Sequence, residues 1–579
     1  MRSVRTVIHS SAVLIAVLYA TVSVHAGGQG GYGAFNSEPY GYPGGDGNSA
    51  TGMGGDGGQG CLNPSPGGAG GTVGSLITSP TTIISNITGG AGEHAVDQTR
   101  FAGNGGGGGG TGVATASDVT NDATIIGGQG GRYSTGHSQG AGGGGGGGAG
   151  VATSANFTNN STVIGGAGGL GANDGPVHNN SGGGGGGAGV YVVGNSALVT
   201  IINNGTITGG AGGLNSAWPD NFGATGGMGE GGAAGSIRTG GSQGTSSQGG
   251  AGIIGANIAV INNGTITGGI GGTGGLNAGV QNDAVTFQSG INSLTLTTKS
   301  VINGVVSANG NDDTLTLQNT LSKIDGGQSD GANISATQYK GFEHLVVNGG
   351  RWTVSGSAIV SGETTLNGGA LVVTGPAALG VQAITAQGGA IEASGDQVLD
   401  QSFVLKNNPY GASTSGLVVQ GADNLVLSGV LSDVGRLTKN GSGTLTLTAD
   451  NTYTGGTVFA GGVVSVDKEV RLGGGDLTFN GGTLQVTGTG WTSTSRAVSL
   501  QAGGGTFDIE DAANNFAVTQ GVTGAGGLMK SGTGTVTLSG ANSYTGGTKV
   551  SAGTLVVAND NTGGGTTTVD AGAGLQIGT

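Results

Sequence analysis

Residues 435–466 read GRLTKNGSGTLTLTADNTYTGGTVFAGGVVSV, and residues 526–557 read GGLMKSGTGTVTLSGANSYTGGTKVSAGTLVV. These two stretches, called here the first and the second cassette, align without gaps at an offset of 91 residues and are identical at 16 of 32 positions. A more divergent third copy lies 93 residues upstream of the first, at 349–373. A fixed period of this length indicates an array of stacked units.

Each cassette predicts short strands separated by glycine turns. In GTLTLT (443–448), Leu445 and Leu447 point to one face of a strand and Thr446 to the other. Gly-Gly or Asn-Gly pairs then turn the chain, because glycine adopts a positive φ without steric cost. We therefore expect an all-β fold, an elongated parallel β-helix or β-solenoid of roughly 20–25 residues per coil, with Leu445 and Leu447 in its core.

The motif shared by the cassettes is K-x-G-x-G-T-h-T-L-x-x-x-N-x-Y-T-G-G-T, where h is apolar. It resembles the autotransporter-associated β-strand repeat of type V secreted proteins, as do the segments at 472–488 and 503–511. The segment at 339–356 resembles another stretch common in those passengers. The resemblance covers roughly residues 291–579 and implies a β-helix passenger there.

The N-terminal residues 1–26 predict a signal peptide. Arg2 and Arg5 precede an apolar run that ends in a small-residue cleavage site at Ala26. The run is too short for a membrane-spanning helix. Cys61 is the single cysteine, so an intramolecular disulfide framework is excluded. We expect an exported protein, at the cell surface, in the outer membrane or in the medium.

Composition narrows the range of partners. Only 8% of the residues are charged, against about 25% in ordinary globular domains. The net charge is −14, so the protein has no excess of lysine and arginine to bind a phosphate backbone. These values predict no binding to nucleic acid.

Glycine, 141 of 579 residues, dominates the first half of the sequence. Residues 27–80 lack periodicity and are interpreted as a flexible low-complexity segment. Residues 81–290 carry a second repeat, Thr-Ile-x-Gly-Gly, whose glycine pairs begin at 89, 127, 165, 209 and 268. Runs of polyglycine lie between these pairs. We interpret this region as a β-solenoid with disordered loops. The alternative is that glycine segments pack directly against each other because no Cβ separates their backbones.

No catalytic, cofactor-binding or metal-binding residue is assigned. His94, His137 and His178 recur about every 40 residues, but they stand out of register with the repeat glycines and are interpreted as loop residues. The polyglycine runs lack the Gly-Lys-Ser/Thr that a phosphate-binding P-loop requires.

Acidic residues give two further candidates. Asp508, Glu510 and Asp511 form the densest acidic cluster, but apolar residues alternate with them, as on an outward strand face. The segment NGNDDTLTL (309–317) is interpreted as a solvated turn, with a calcium-binding turn as the alternative. Neither pattern predicts a cofactor.

Two classes of function remain. The first is a non-enzymatic surface or secreted passenger, an adhesin or aggregation scaffold that binds host or environmental glycans or proteins, or itself, through many weak contacts. The alternative is a polysaccharide-degrading β-helix enzyme. The sequence closes on GAGLQIGT without the amphipathic strands of a translocating barrel. We therefore expect contact with the outer membrane only through a barrel that is not in this sequence.

Overall fold

The structure is a computed structural model of the protein, and it describes residues 54, 56, 68–95, 105–132, 143–171, 182–194, 197–214, 247–273, 278–318, 330–408, 416–559 and 565–578. The predicted signal peptide, Cys61 and most of the low-complexity segment lie outside these residues.

The described residues form fifty β-strands in six sheets, together with two short 3-10 helices, Pro376–Leu379 and Glu469–Leu472. Strands in a sheet pair in parallel with strands of the coil before and the coil after, as in Leu345 with Thr364 and Thr364 with Ile384. These partners lie about 20 residues apart, which is the length of one coil in this part of the solenoid, whereas coils of the first half are longer, as between Thr124 and Thr162. The predicted all-β parallel solenoid is confirmed.

Three sheets contain the strands of the first half of the protein. Sheet 1 consists of β1 (Ser75–Ile77), β4 (Val113–Thr115), β7 (Val151–Thr153), β10 (Val190–Val192), β13 (Ile253–Gly255), β16 (Val285–Phe287), β19 (Val306–Ala308) and β22 (Tyr339–Lys340). Sheet 2 consists of β2 (Thr81–Ile83), β5 (Val119–Asn121), β8 (Phe157–Asn159), β11 (Val199–Asn203), β14 (Ile258–Asn262), β17 (Ser293–Thr297), β20 (Thr314–Gln318), β23 (His344–Val347), β25 (Thr364–Leu366), β27 (Ile384–Ala386), β30 (Phe403–Leu405) and β33 (Leu431–Ser432). Sheet 3 consists of β3 (Ile87–Thr88), β6 (Thr124–Ile126), β9 (Thr162–Ile164), β12 (Thr206–Thr208), β15 (Thr265–Thr267) and β18 (Val301–Asn303).

Three further sheets continue the solenoid. Sheet 4 consists of β21 (Asp330–Ser335), β24 (Arg351–Ser355), β26 (Ala370–Val373), β28 (Ala390–Ala393), β31 (Gly416–Gln420), β34 (Arg436–Lys439), β36 (Thr457–Phe459), β38 (Leu477–Phe479), β41 (Val498–Leu500) and β44 (Val522–Thr523). Sheet 5 consists of β29 (Gln397–Leu399), β32 (Leu425–Leu427), β35 (Thr444–Leu447), β37 (Val463–Val466), β39 (Thr483–Val486), β42 (Gly505–Ile509), β45 (Leu528–Ser531), β47 (Thr548–Val550) and β49 (Thr567–Val569). Sheet 6 consists of β40 (Ser493–Thr494), β43 (Asn515–Val518), β46 (Thr535–Leu538), β48 (Thr554–Val557) and β50 (Gly574–Ile577).

The core is a stack of inward apolar side chains. Leu445 pairs with Val464 in the next coil, and Val464 pairs with Leu484 in the coil after that. Leu445 and Leu447 are buried, while Thr446 between them is half-exposed, so the predicted facing of this strand is confirmed. Since strands in a sheet lie about 4.8 Å apart, each coil places its apolar residues in contact with those of its neighbours.

The polyglycine runs pack against one another through backbone hydrogen bonds. Hydrogen bonds run along one column of glycine segments, as from Gly109 N to Gly146 O (2.8 Å). Others cross to the second column, as from Gly110 N to Gly90 O (2.9 Å) and from Gly128 N to Gly110 O (2.7 Å). Within one glycine segment, every third N–H group donates in the same direction. A repeat of three residues is the period of a threefold extended helix. At these runs the packed interpretation is therefore correct, whereas the loop segments 133–142, 172–181 and 215–246 lie outside the described residues and their disorder stays a prediction.

Buried asparagines bridge the coils of the first half. The Nδ2 of Asn121 donates to the Oδ1 of Asn159 (2.8 Å), Asn159 donates to Asn203 (2.9 Å), and Asn203 donates to Asn262 (2.8 Å). All four side chains are inaccessible to solvent. Each asparagine thus supplies the partner that its buried neighbour needs, and an unpaired amide there would be costly.

Over the part of the protein that the structure describes, no helix is long and apolar enough to span a membrane.

Candidate functional site

The lysine of each cassette points into the solenoid. Lys439 is 2% exposed and Lys530 is 0% exposed. The Nζ of Lys439 donates to the carbonyl oxygens of Asn440 (2.6 Å) and Gly441 (3.0 Å). In the second cassette, the Nζ of Lys530 donates to the carbonyls of Ser531, Gly532 and Ala552. Each ammonium group therefore satisfies the carbonyls of the turn that follows its strand.

Burial lowers the pKa of both lysines, because a desolvated ammonium is less stable than a solvated one. The pKa of Lys439 falls to about 8, and that of Lys530 also falls to about 8, although the nearby carboxylate of Asp508 acts in the opposite direction. The sequence contained a signal for this burial. Lys439 lies two residues after Leu437 in the strand, so the alternation of side chains predicts that both point inward.

A glycine in each cassette makes room for the ammonium group. A Cβ on Gly462 would lie 2.8 Å from the Nζ of Lys439, and one on Gly553 would lie 2.9 Å from the Nζ of Lys530. Both glycines also have positive φ, 59° and 62°. The shared glycine of the two cassettes is thus required by close approach and by backbone conformation together.

The tyrosine of the Tyr-Thr-Gly-Gly-Thr motif bonds to the threonine four residues later. The Tyr453 hydroxyl lies 2.6 Å from the Oγ1 of Thr457, and the Tyr544 hydroxyl lies 2.8 Å from the Oγ1 of Thr548. Both rings are buried, and burial raises the pKa of Tyr453 above its ordinary value. These groups hold the next strand in place and present no reactive atom to solvent.

The cassettes have the same local structure but lie on different faces of the solenoid. In the third copy, the three strands β24, β25 and β26 belong to sheets 4, 2 and 4. The matching strands of the first cassette, β35, β36 and β37, belong to sheets 5, 4 and 5. In the second cassette, β46, β47 and β48 belong to sheets 6, 5 and 6. Each copy is therefore moved forward by one face, and outward residues of successive copies point in different directions.

The acidic residues singled out in the sequence lie at the end of β42 and directly after it. Asp508 is half-buried and accepts a hydrogen bond from the Nε2 of Gln485 (3.0 Å). Asp511 accepts one from the backbone N–H of Ala513 (2.9 Å), and Glu510 is exposed. Among the described residues, no group of three or more His, Cys, Asp or Glu side chains is arranged to hold a metal ion.

Asp313 lies in the segment that was compared with a calcium-binding turn. It is buried, whereas the sequence predicts a solvated turn. Its carboxylate accepts hydrogen bonds from the Nδ2 of Asn292 (2.8 Å), the backbone N–H of Asn292 (3.1 Å) and the backbone N–H of Gly310 (2.8 Å). The neighbouring Asp312 pairs with His344 at 2.9 Å. The solvated-turn interpretation is thus wrong for Asp313, because its oxygens close the turn by accepting N–H groups.

Of the three recurring histidines, the structure describes His94. Its Nδ1 accepts a hydrogen bond from the backbone N–H of Arg132 (3.0 Å). His137 and His178 lie outside the described residues. The assignment of the three histidines to loops therefore stays a prediction from sequence.

An open groove of about 490 Å³ lies on the outer side of sheet 5. Thr506, Met529, Lys549 and Thr568 line it, together with glycines of the adjacent turns. Lys549, the charged residue in this lining, pairs with Asp570 at 3.2 Å. The lining of the groove therefore consists of threonine hydroxyl groups, backbone, Met529 and the ion-paired Lys549.

Comparison with known proteins agrees with this structural description. The passenger-associated-transport-repeat family model matches residues 437–466 and 528–557, which are nearly the two cassettes. The protein is also similar to the adhesin BmaC autotransporter of Brucella suis biovar 1 (strain 1330), with 34% identity over 230 residues. That match covers 35% of this protein and 7% of the relative, and no solved structure matches. The two cassettes thus match the passenger-associated transport repeat and lie on a parallel β-solenoid, and over these stretches the protein is similar to autotransporter passengers.

Proposed function

We propose that this protein is an exported, non-enzymatic surface passenger that acts as an adhesin or aggregation scaffold through many weak contacts. Two findings support the proposal: the transport repeats and the similarity to a protein named as an autotransporter adhesin. The match spans 7% of that relative, so we infer an adhesive role for this protein from the similarity.

The observation that carries the proposal is the outer face of sheet 3. Its outward positions are half-exposed and uncharged over four successive strands. Strand pairing aligns Thr124 with Thr162, Thr162 with Thr206 and Thr206 with Thr265. A second row, two residues further along each strand, consists of Ile126, Ile164, Thr208 and Thr267.

This face suits a neutral, repetitive partner such as a glycan or another copy of the protein. Hydroxyl groups recur at about 4.8 Å along the stack, and each can donate one hydrogen bond and accept others. A single such bond replaces one to water and contributes only about 1 kcal/mol. Repetition on a rigid scaffold raises the total affinity without any strong individual contact.

A pair of matched variants tests the proposal. Thr162→Glu with Thr265→Glu places two charges on the outer face of sheet 3, separated by one coil. Thr446→Glu with Thr537→Glu places the same charges on half-exposed outward threonines of sheets 5 and 6. Both purified proteins are first compared with the parent by circular dichroism and thermal unfolding, and then assayed on a panel of immobilised glycans and for self-association by sedimentation.

We expect the parent and the Thr446/Thr537 variant to bind or to self-associate, and the Thr162/Thr265 variant to lose most of this binding. Equal binding by all three proteins would contradict the assignment of the contact face. Release of sugar products from the panel, lost on Asp508→Asn, would instead make the protein an enzyme and overturn the proposal.

A further inference from the structure

Asn440 and Gly441 form an Asn-Gly pair in the turn that follows β34. Asn440 is exposed, and its Oδ1 accepts a hydrogen bond from the backbone N–H of the next residue, Gly441, at 2.8 Å. Gly441 has a φ of 72°, a conformation that glycine adopts without strain. The backbone nitrogen of Gly441 is thus held directly beside the side-chain amide of Asn440.

At five other Asn-Gly pairs among the described residues, the glycine N–H group donates to a different acceptor. Gly205 donates to the Oδ1 of Asn203 (3.3 Å), and Gly264 donates to the Oδ1 of Asn262 (3.3 Å). Gly310, Gly368 and Gly481 donate to Asp313, Val347 and Gly504, respectively.

The asparagines of two of these pairs are also held by their side chains. The Nδ2 of Asn263 donates to the Oδ1 of Asn204, and the Nδ2 of Asn204 donates to the Oδ1 of Asn160, both at 2.8 Å. Turning either amide toward the following glycine would break these bonds. Asn440 is held instead by the glycine nitrogen itself, and rotation about χ2 of asparagine is soft.

We propose that Asn440 is a site of spontaneous intramolecular deamidation in the folded protein. The Gly441 nitrogen attacks Cγ of Asn440, a bond forms between them, and the Cγ–Nδ2 bond of Asn440 breaks. The displaced amide nitrogen leaves as ammonia and carries the proton lost by Gly441. Water then opens the five-membered succinimide at either carbonyl, which leaves aspartate or isoaspartate at position 440. No oxidant or reductant is required, and the hydrogen bond to Oδ1 keeps the Gly441 nitrogen beside the side-chain amide that it attacks, a proximity that accelerates such a step.

The change would alter one cassette and spare the other. Lys439 donates to the carbonyl oxygens of residues 440 and 441. In isoaspartate the backbone runs through the side chain of residue 440, which adds a methylene group before Gly441 and turns the original carbonyl of residue 440 into a free carboxylate. The turn closed by Lys439 would then be displaced, with a carboxylate beside the ammonium. The second cassette has Ser531 before Gly532 and cannot undergo the reaction.

The test is peptide mapping by mass spectrometry after incubation of the folded, purified protein in neutral and in mildly alkaline buffer. We expect deamidation at Asn440 to be at least about tenfold faster than at Asn204 and Asn263, the factor that corresponds to about 1.4 kcal/mol. In denaturant, the three sites should react at similar rates, because all are Asn-Gly pairs. Asn440→Ser, which copies the second cassette, should remove the product and leave the circular dichroism spectrum unchanged.

Two results would overturn the proposal. One is retention of the amide at Asn440 for as long as at Asn204 and Asn263 in the folded protein. The other is the same tenfold difference in denaturant, which would assign the reactivity to local sequence and not to the fold.

Discussion

The two buried lysines make the stability of the solenoid depend on pH in a definite direction. Burial lowers the pKa of Lys439 and Lys530 from 10.5 to about 8 in the folded protein, and unfolding restores the higher value. Between these two values the unfolded state binds more protons than the folded one. The free energy of unfolding therefore rises as the pH rises from about 8 toward 10.5, while below pH 8 the full cost of the buried charge is present.

The size of the effect follows from the shift. One pKa unit corresponds to about 1.4 kcal/mol, so a lysine shifted from 10.5 to about 8 contributes at most about 3 kcal/mol. About 2 kcal/mol of this falls between pH 8 and pH 10 for each lysine. Above this window Tyr453 acts in the opposite direction, because its raised pKa makes the tyrosine of the unfolded state ionise first.

The assay is equilibrium unfolding in urea at several pH values between 8 and 10. Lys439→Met and Lys530→Met should each be less stable than the parent, since carbonyls lose their donor, and each should lose about half of the rise with pH. Lys549→Met is the control, because Lys549 is half-exposed and should leave the rise intact. A parent whose stability is flat or falls over this range would refute the reasoning, as would an undiminished rise in the Lys439/Lys530 double variant.

Two further predictions concern single positions. Leu447→Asp should destabilise the protein by several kcal/mol in urea unfolding, because it buries an unpaired charge, whereas Thr446→Asp should cost far less; equal losses would contradict the facing of β35. Gly109→Ala should lower the thermal unfolding temperature clearly more than Gly194→Ala, because its Cβ would lie 2.0 Å from the Gly128 carbonyl oxygen while that of Gly194 meets open space; similar melting of both variants would argue against the packed glycine layer.

The strands of the cassettes could be predicted from sequence because their side chains alternate. Leu445 and Leu447 differ from Thr446 in polarity, and a period of two in polarity specifies which face is buried. The parallel pairing followed from the repeat, because coils of equal length place equivalent strands side by side. The buried lysines were not predicted, since a charged residue normally indicates an exposed position.

The packed glycine layer could not be chosen from sequence over disordered loops. Polyglycine has no side chains whose polarity could alternate, so both interpretations agree with the same amino-acid sequence. The structure decides because the cross-column bonds, such as Gly110 N to Gly90 O, join segments that are distant in sequence. Asp313 was misjudged for a related reason: its partners Asn292 and Gly310 are brought to it by the coil and by the turn.

The 91-residue period has a geometric consequence that the sequence alone does not show. Four coils of about 21 residues account for most of the period, and the remaining residues carry the chain on to the next sheet of the coil. The third copy, the first cassette and the second cassette therefore begin on successive faces. A flat partner surface would contact the outward residues of one cassette at a time. The features that the cassettes share, Lys439 with Gly462 and Tyr453 with Thr457, are accordingly those that act inside the solenoid, where the direction of a face has no effect.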